Sequence, residues 1–474
     1  MSPLSTTASL QCIQTLTPPP SSSNKSISSA DSKLFQFSQQ RQHHHQNENK
    51  NSCQTSTNKT LSSNTNAPVW SCCWSNDGQT LATCHGRPSI PCIRIWKFEH
   101  DSWVLSATLF QESDGDGDND MTRTIRQVAF APTPNNVRYI LASASFDGIV
   151  SIWEDFSFQS NGNHDRVKRT KQNNHQKQQN DVFANTAAGW ECTAQLEGHE
   201  NEVKDVTWNC TGTLLATCGR DKSVWIWECF LPGTIGADGN GSTDFVSGGN
   251  GDFECVAVLQ SHDGDVKSVE FAPSHGHFGD GDEILISASY DDTIKVWAED
   301  DGEWYCALTL ANVHTSTIWT IALSPSGVRM VSGSADCSLA VWRFYTSNEK
   351  QMMLSNNQDD NGTTSENDMP SEGVWKCVGK LPSAHKQPVY TVHCAPSRAG
   401  HGRIASGGGD DKINIYREID SSPDAPLFTL DTSVKKAHNG DINCIRWHPL
   451  DGTLLASGGD DGLVKIWKFS QSLT

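Results

Sequence analysis

The sequence is poor in positive charge. Its 36 Lys and Arg face 55 Asp and Glu, a net charge of −19 over 474 residues. That balance argues against sequence-independent nucleic-acid binding, which depends on neutralising phosphates. No apolar run approaches the length of a membrane span. The first residues lack the basic flank and apolar stretch of a secretory signal. Sixteen cysteines are present, yet no C-x-x-C occurs, so zinc-ribbon and cluster-type spacings are missing. No metal, cofactor, nucleic acid or membrane partner is expected. A reducing compartment is expected instead. The Ser/Thr-rich, acid-poor leader leaves an organellar address as the alternative.

What is present is a repeat. Residues 197–227 read EGHENEVKDVTWNCTGTLLATCGRDKSVWIW. Three runs of β-branched and aromatic residues at period two, from Val203, Leu214 and Val224, predict half-buried strands. Asn209 to Gly212 and Gly219 to Lys222 carry turn chemistry between them. A Gly-His pair opens the unit and Trp227 closes it. Further units close at Trp96, Trp153, Trp297, Trp342, Tyr416 and Trp467. Ten residues before all but the first of these aromatics lies a small hydroxyl: Ser143, Thr217, Ser287, Ser332, Ser406 or Ser457. Six before lies an acid: Asp147, Asp221, Asp291, Asp336, Asp410 or Asp461. His199, His262, His314, His385 and His438 precede five of the units. Agreement at several fixed offsets identifies WD40 repeats and predicts an all-β, seven-bladed propeller.

The repeated polar residues predict buried hydrogen-bond knots, satisfied only when every member is present. In the third blade these are Trp227, Thr217, His199 and Asp221. The counterparts are Trp297, Ser287, His262 and Asp291; Trp342, Ser332, His314 and Asp336; and Trp467, Ser457, His438 and Asp461. Ser287, His262 and Asp291 could also compose a nucleophilic triad. An enzyme needs one exposed nucleophile rather than the same set in blade after blade, so no catalytic residue is assigned. Cys192, Cys255, Cys306 and Cys377 each follow an aromatic by two residues at the start of a strand. They read as small hydrophobes in the packing.

Leu10, Cys12 and Leu16 repeat the spacing of Trp190, Cys192 and Leu196. Few residues follow Trp467, so the last blade lacks a fourth strand of its own. Residues 9–17 are expected to supply it, closing the ring and removing open sheet edges. Residues 18–66 are polar and predict disorder, with the His run at 43–45 a compositional accident. The propeller proper is expected over 67–474, in blades near 67–109, 122–196, 197–259, 260–310, 311–381, 382–430 and 431–474 plus 9–17. The first blade lacks the repeat's His and aligned Asp, and Arg87 to Pro91 distorts its second turn. The acidic run 114–120 imitates an EF-hand start without its Gly, and Ile125 stands where the bidentate Glu belongs. Insertions at 155–188, 229–252 and 345–373 should project from one rim as flexible loops.

Loops carrying the repeated His and Asp make a propeller's upper face. Beside them, Trp70, Arg126, Lys204, Lys267, Trp319, Tyr390 and Asn443 each stand second in a first strand, and Phe146, Arg220 and Tyr290 immediately precede a turn Asp. On so acidic a chain this basic and aromatic cluster is the most informative surface feature. A guanidinium fork suits a carboxylate, and flat rings suit an aromatic guest. The cluster therefore fits an acidic peptide that bears an aromatic and ends in a free C-terminus. The alternative is a set of ordinary rim residues paired with acids such as Glu200 and Glu202.

LEGHENEVK at 196–204, LLATCGRDKSVWIWE at 214–228, SASYDDTIKVW at 287–297 and LLASGGDDGLVKIW at 454–467 resemble the WD40 subunit of the cytosolic iron–sulfur protein assembly (CIA) targeting complex. The resemblance covers blades two to seven clearly and blade one weakly. It implies a non-catalytic scaffold, cytoplasmic and also nuclear, that helps deliver clusters to cytosolic and nuclear apoproteins. Implied partners are a small acidic assembly protein, a HEAT-repeat adaptor, iron–sulfur apoproteins, and short tails with an acidic residue and a terminal Trp or Phe. It further implies importance for the Arg of Cys218-Gly219-Arg220-Asp221. Animal members carry Leu-Tyr-Arg at the close of blade four, linked to cochaperone docking; this chain reads Val296-Trp297-Ala298 there. A ubiquitin-ligase substrate receptor is the alternative in another class. No W-D-x-R follows the closing aromatics, which weighs against it.

Overall fold

Strand formation here follows from burial on two sides. In the computed structural model the described residues are 6–17, 67–87, 90–110, 123–133, 138–157, 189–231, 251–273, 283–346, 349, 373–382, 384–396, 402–422 and 424–473. Among them, twenty-eight strands form seven four-stranded antiparallel sheets. The third blade shows the pattern: Val203–Trp208, Leu214–Gly219, Ser223–Phe230 and Asp252–Gln260 lie side by side in chain order. Second strands are covered on both faces, and Ile140–Ser145 is buried at all six positions. Outer strands keep one wet face. The core lies between neighbouring sheets: Val224 and Ile226 of the third blade pack with Val266, Leu285 and Trp297 of the fourth. Each such side chain contributes roughly 1.5–3 kcal/mol through burial.

Two local devices recur. The residue after each turn Asp is left-handed: Gly148, Lys222, Asp292, Cys337, Asp411 and Gly462 have φ between 60° and 93°. Non-glycine residues tolerate this position because the turn Asp is held by its own hydrogen bonds, as described below. Each outer strand also bulges beside the closing aromatic, with the register slipping between Ile226 and Trp227, and likewise between Val296 and Trp297. Such a bulge bends the outer strand and increases its twist.

The ring is a propeller closed by its own N-terminal strand. Thr6–Leu16 pairs antiparallel with Val464–Leu473, Leu10 opposite Phe469 and Cys12 opposite Trp467. Leu10 and Leu16 are buried. The strand starts at Thr6 rather than at residue 9, because the last strand runs on to Leu473 and keeps offering it partners. The sixth blade likewise outruns its expected end at 430. Its outer strand, Leu427–Val434, keeps its ladder until Val434 meets Ile413. Expectations for 18–66, for 114–120 and for most of the three insertions fall outside the described residues. The insertions lie between the third and fourth strands of blades two, three and five.

Candidate functional site

The His of each complete repeat sits between a hydroxyl and a carboxylate. In blade three, His199 Nδ1 lies 2.7 Å from Asp221 and its Nε2 lies 2.8 Å from Thr217, which accepts the Trp227 indole N–H at 3.3 Å. His262, Ser287, Asp291 and Trp297 repeat this within 2.7–2.8 Å, as do His314, Ser332, Asp336 and Trp342 within 2.8–3.0 Å. His438, Ser457, Asp461 and Trp467 form the same knot, and His385, Ser406 and Asp410 do so beside Tyr416. One direction satisfies every member: indole to hydroxyl, hydroxyl to imidazole, imidazole to carboxylate. The carboxylate also caps its own turn, Asp221 accepting from the Glu200 and Ser223 backbone N–H groups. Burial opposes the charge on Asp336, yet hydrogen bonds from Ser338 and His314 hold its carboxyl down at about 2. Ser287 is fully buried, with its oxygen committed to Trp297 and His262, a poor position for a nucleophile.

Blade two lacks the repeat's His. Ser143 still accepts from Trp153 at 3.0 Å but turns its proton to the Ser151 carbonyl. Burial pushes the Asp147 carboxyl up, where its counterparts are held down.

Ring contacts gather the expected crown residues into two groups. Arg126 lies over the Trp70 ring at 5.3 Å, and Trp70 meets Phe146 at 6.4 Å. Lys204 stands 4.1 Å over Phe146. Lys267 lies 5.7 Å from the Tyr290 ring and 5.1 Å from that of Trp319, which meets Tyr390 edge-on at 5.5 Å. Asn443 donates to Asp460 at 2.9 Å and to the Val69 carbonyl at 3.1 Å. The cations are partly neutralised: Lys204 by Glu202, Lys267 by Asp265 at 2.9 Å, and Arg220 by Glu202 at 3.4 Å. Glu200 is not among these partners; it instead gives its backbone N–H to Asp221. The two lysine side chains are only 13% and 10% exposed, against 46% for Arg220. Tyr290, at 56%, is the most open ring of the two groups. Burial, with Lys267 and Arg126 close by, outweighs Glu202 and brings the Lys204 ammonium down to about 8. The indole N–H groups of Trp70 and Trp319 are buried without an acceptor.

The WD domain, G-beta repeat, matches at residues 55–89, 117–154, 190–228, 253–298, 304–343 and 426–468. A Neurospora crassa protein named "Probable cytosolic iron-sulfur protein assembly protein 1" is 31% identical over 444 residues, 82% of this chain and 90% of its own. Proteins of the same name from Meyerozyma guilliermondii and Candida albicans are each 35% identical, covering 74% and 73% of this chain and 86% and 85% of theirs. The chain belongs to this WD40 family of cytosolic iron–sulfur assembly proteins.

Two features of this family member escaped the sequence pattern. Blade one has a histidine after all, inside its second strand. His85 Nε2 lies 3.0 Å from Thr83, which accepts from Trp96 at 3.0 Å, and Arg94 approaches His85 Nδ1 at 2.8 Å. A cation replaces the usual carboxylate. Thr83 precedes Trp96 by thirteen residues instead of ten because of the insertion around Arg87, and that shift hid the set. Of the outer-strand cysteines, Cys306 and Cys377 pack against the core as expected, but Cys192 and Cys255 do not. Cys192 and Cys255 are exposed, while Cys306 and Cys377 are partly so. Each thiol sits at the bulge and donates to a carbonyl two residues on, as Cys306 does to Leu308 at 3.5 Å. Cys12 does the same with Gln14.

Proposed function

We propose that the chain is a non-catalytic scaffold of cytosolic iron–sulfur protein assembly, in the cytoplasm and nucleus, that holds recipient proteins and other assembly factors together. Family membership supports the pathway. The two groups between Arg126 and Tyr390 support the mode of action, and they are the observation that carries the reading. Arg220 and Tyr290 stand open among cations backed by aromatic faces. A short tail with an acidic residue and a terminal aromatic would place its carboxylates on Arg220 and Lys204 and its ring on Tyr290. The buried Trp70 and Trp319 indoles would offer further donors. A small acidic assembly protein and a HEAT-repeat adaptor are the expected complex partners, and iron–sulfur apoproteins the clients.

Depletion tests the pathway. A cytosolic iron–sulfur enzyme should lose activity while a mitochondrial one keeps it; equal loss in both would remove the assignment. Arg220→Glu tests the face. The variant should fold normally and lose partners in a pull-down, and wild-type recovery of partners would take Arg220 out of the site.

A further inference from the structure

Neighbouring blades are stitched along their innermost strands by a recurring contact. The third residue of one inner strand accepts the backbone N–H of the fourth residue in the next. Asp205 takes it from Val269 at 3.0 Å, Thr320 from Val392 at 3.2 Å and Thr391 from Ile445 at 3.0 Å. Where the last blade meets the first, the third residue is Cys444 and the fourth is Cys72. Their sulfurs lie 3.4 Å apart, both side chains are buried and both thiols are free. A pair of thiols thus replaces the oxygen-based stitch at the seam where the ring closes. The rest of that seam is well fixed, with Asn443 donating to the Val69 carbonyl at 3.1 Å and Trp74 to the Arg446 carbonyl at 3.1 Å. The two sulfurs are therefore held against each other by a rigid frame.

We propose that Cys72 and Cys444 form an oxidant-responsive pair whose disulfide locks the first and last blades together. Bond formation needs the sulfurs to close from 3.4 Å to about 2.05 Å, a small movement for two side chains. The order of attack follows from the surroundings. Burial opposes ionisation of Cys444, but its contact with Cys72 and the guanidiniums of Arg446 and Arg126 outweigh it and lower its thiol. The contact with Cys444 and burial raise Cys72. With hydrogen peroxide as oxidant, the Cys444 thiolate attacks one oxygen. An S–O bond forms, the O–O bond breaks, and hydroxide leaves to take up the proton that Cys444 lost. The sulfur of Cys72 then attacks Cys444 sulfur, forming the S–S bond and expelling the second hydroxide, which takes the Cys72 proton. Two thiols and one peroxide give one disulfide and two waters. Reduced thiols restore the open pair, as fits a cytosolic setting where disulfides are transient.

The test treats the full-length protein with hydrogen peroxide, alkylates remaining thiols and maps the digest by mass. A peptide pair joining Cys72 to Cys444 is expected. The thermal midpoint at a fixed scan rate should rise by at least about 2 °C and fall back on adding dithiothreitol. Cys444→Ala and Cys72→Ala should each abolish both the link and the rise. The proposal is overturned if Cys72 and Cys444 stay free while exposed cysteines oxidise. It is equally overturned if Cys444 links to Cys73 or Cys84, or if it goes on to sulfinic acid without a link.

Discussion

Gln14 and Trp103 lock two outer strands together across the seam of the ring. The Gln14 amide donates to the Trp103 carbonyl at 2.8 Å and accepts its backbone N–H at 2.9 Å. Gln14 belongs to the strand that completes the last blade, and Trp103 to the outer strand of the first. Trp103 in turn packs edge-on against Trp74 at 4.9 Å, and Trp74 against His448 at 5.0 Å. The closing strand therefore holds both its own sheet and the neighbouring blade.

Removal of residues 1–17 should destabilise the whole ring. The loss includes burial of Leu10 and Leu16, worth at least about 3 kcal/mol together, and leaves a bare sheet edge. Gln14→Ala is the finer test and should cost about 1–2 kcal/mol through its two bonds. Denaturant unfolding of both variants checks this. A truncated chain with the wild-type midpoint would mean that the strand contributes nothing to closure.

Acid should unfold the protein through its knots. Asp336 is held at about 2, below the usual carboxylate value, so its ionised form favours the fold. That contribution is complete above about pH 4 and disappears as pH falls towards 2. Asp336→Asn should lower stability at pH 5 and flatten the loss between pH 4 and 2. Asp147 has the opposite sign, since burial raises it and its charge opposes folding. Asp147→Asn should match or exceed wild type at pH 6. Urea melts across pH 2–6 separate the two behaviours.

Six of the seven units were readable because a closing aromatic, a hydroxyl and an Asp recur at fixed spacings, and the closing strand because Leu10, Cys12 and Leu16 copy another blade. Of the acids that pair with the crown cations, Glu202 was named from the sequence but Asp265 was not. Yet Glu202 and Asp265 immediately precede the first strands of their blades, two residues before Lys204 and Lys267. That spacing held the signal for both ion pairs. His85 was hidden by an insertion that moves the hydroxyl three places. Cys192 and Cys255 misled because a bulge breaks the alternation that assigns faces.

Blade one offers a separate check. His85 is buried, and burial together with the Arg94 charge lowers it well below the ordinary imidazole value. It therefore stays neutral and bridges Thr83 to Arg94. His85→Ala strands both partners and should cost about 1–3 kcal/mol. Its stability difference from wild type should shrink as pH falls from 8 to 5, because the unfolded imidazole gains a proton there and the folded one does not. A difference that grows on acidification would show the imidazole to be charged in the fold.

Lys204 sets the pH range of tail binding under the proposed function. Its ammonium loses a proton near 8, well before an ordinary lysine, because burial and the Lys267 and Arg126 charges outweigh Glu202. A carboxylate ligand needs the charged form. The Kd of a synthetic peptide ending in Asp-Trp with a free carboxylate should rise several-fold between pH 7 and 9. Lys204→Arg stays charged throughout, so its Kd should be flat over that interval. Glu202→Gln removes the one carboxylate that supports the Lys204 charge and should move the fall to lower pH. The same variant frees Arg220 from its partner and should tighten binding at pH 6.5. Titration calorimetry at fixed ionic strength reads all three. A wild-type Kd that is flat from pH 7 to 9 would place the peptide's carboxylates away from Lys204.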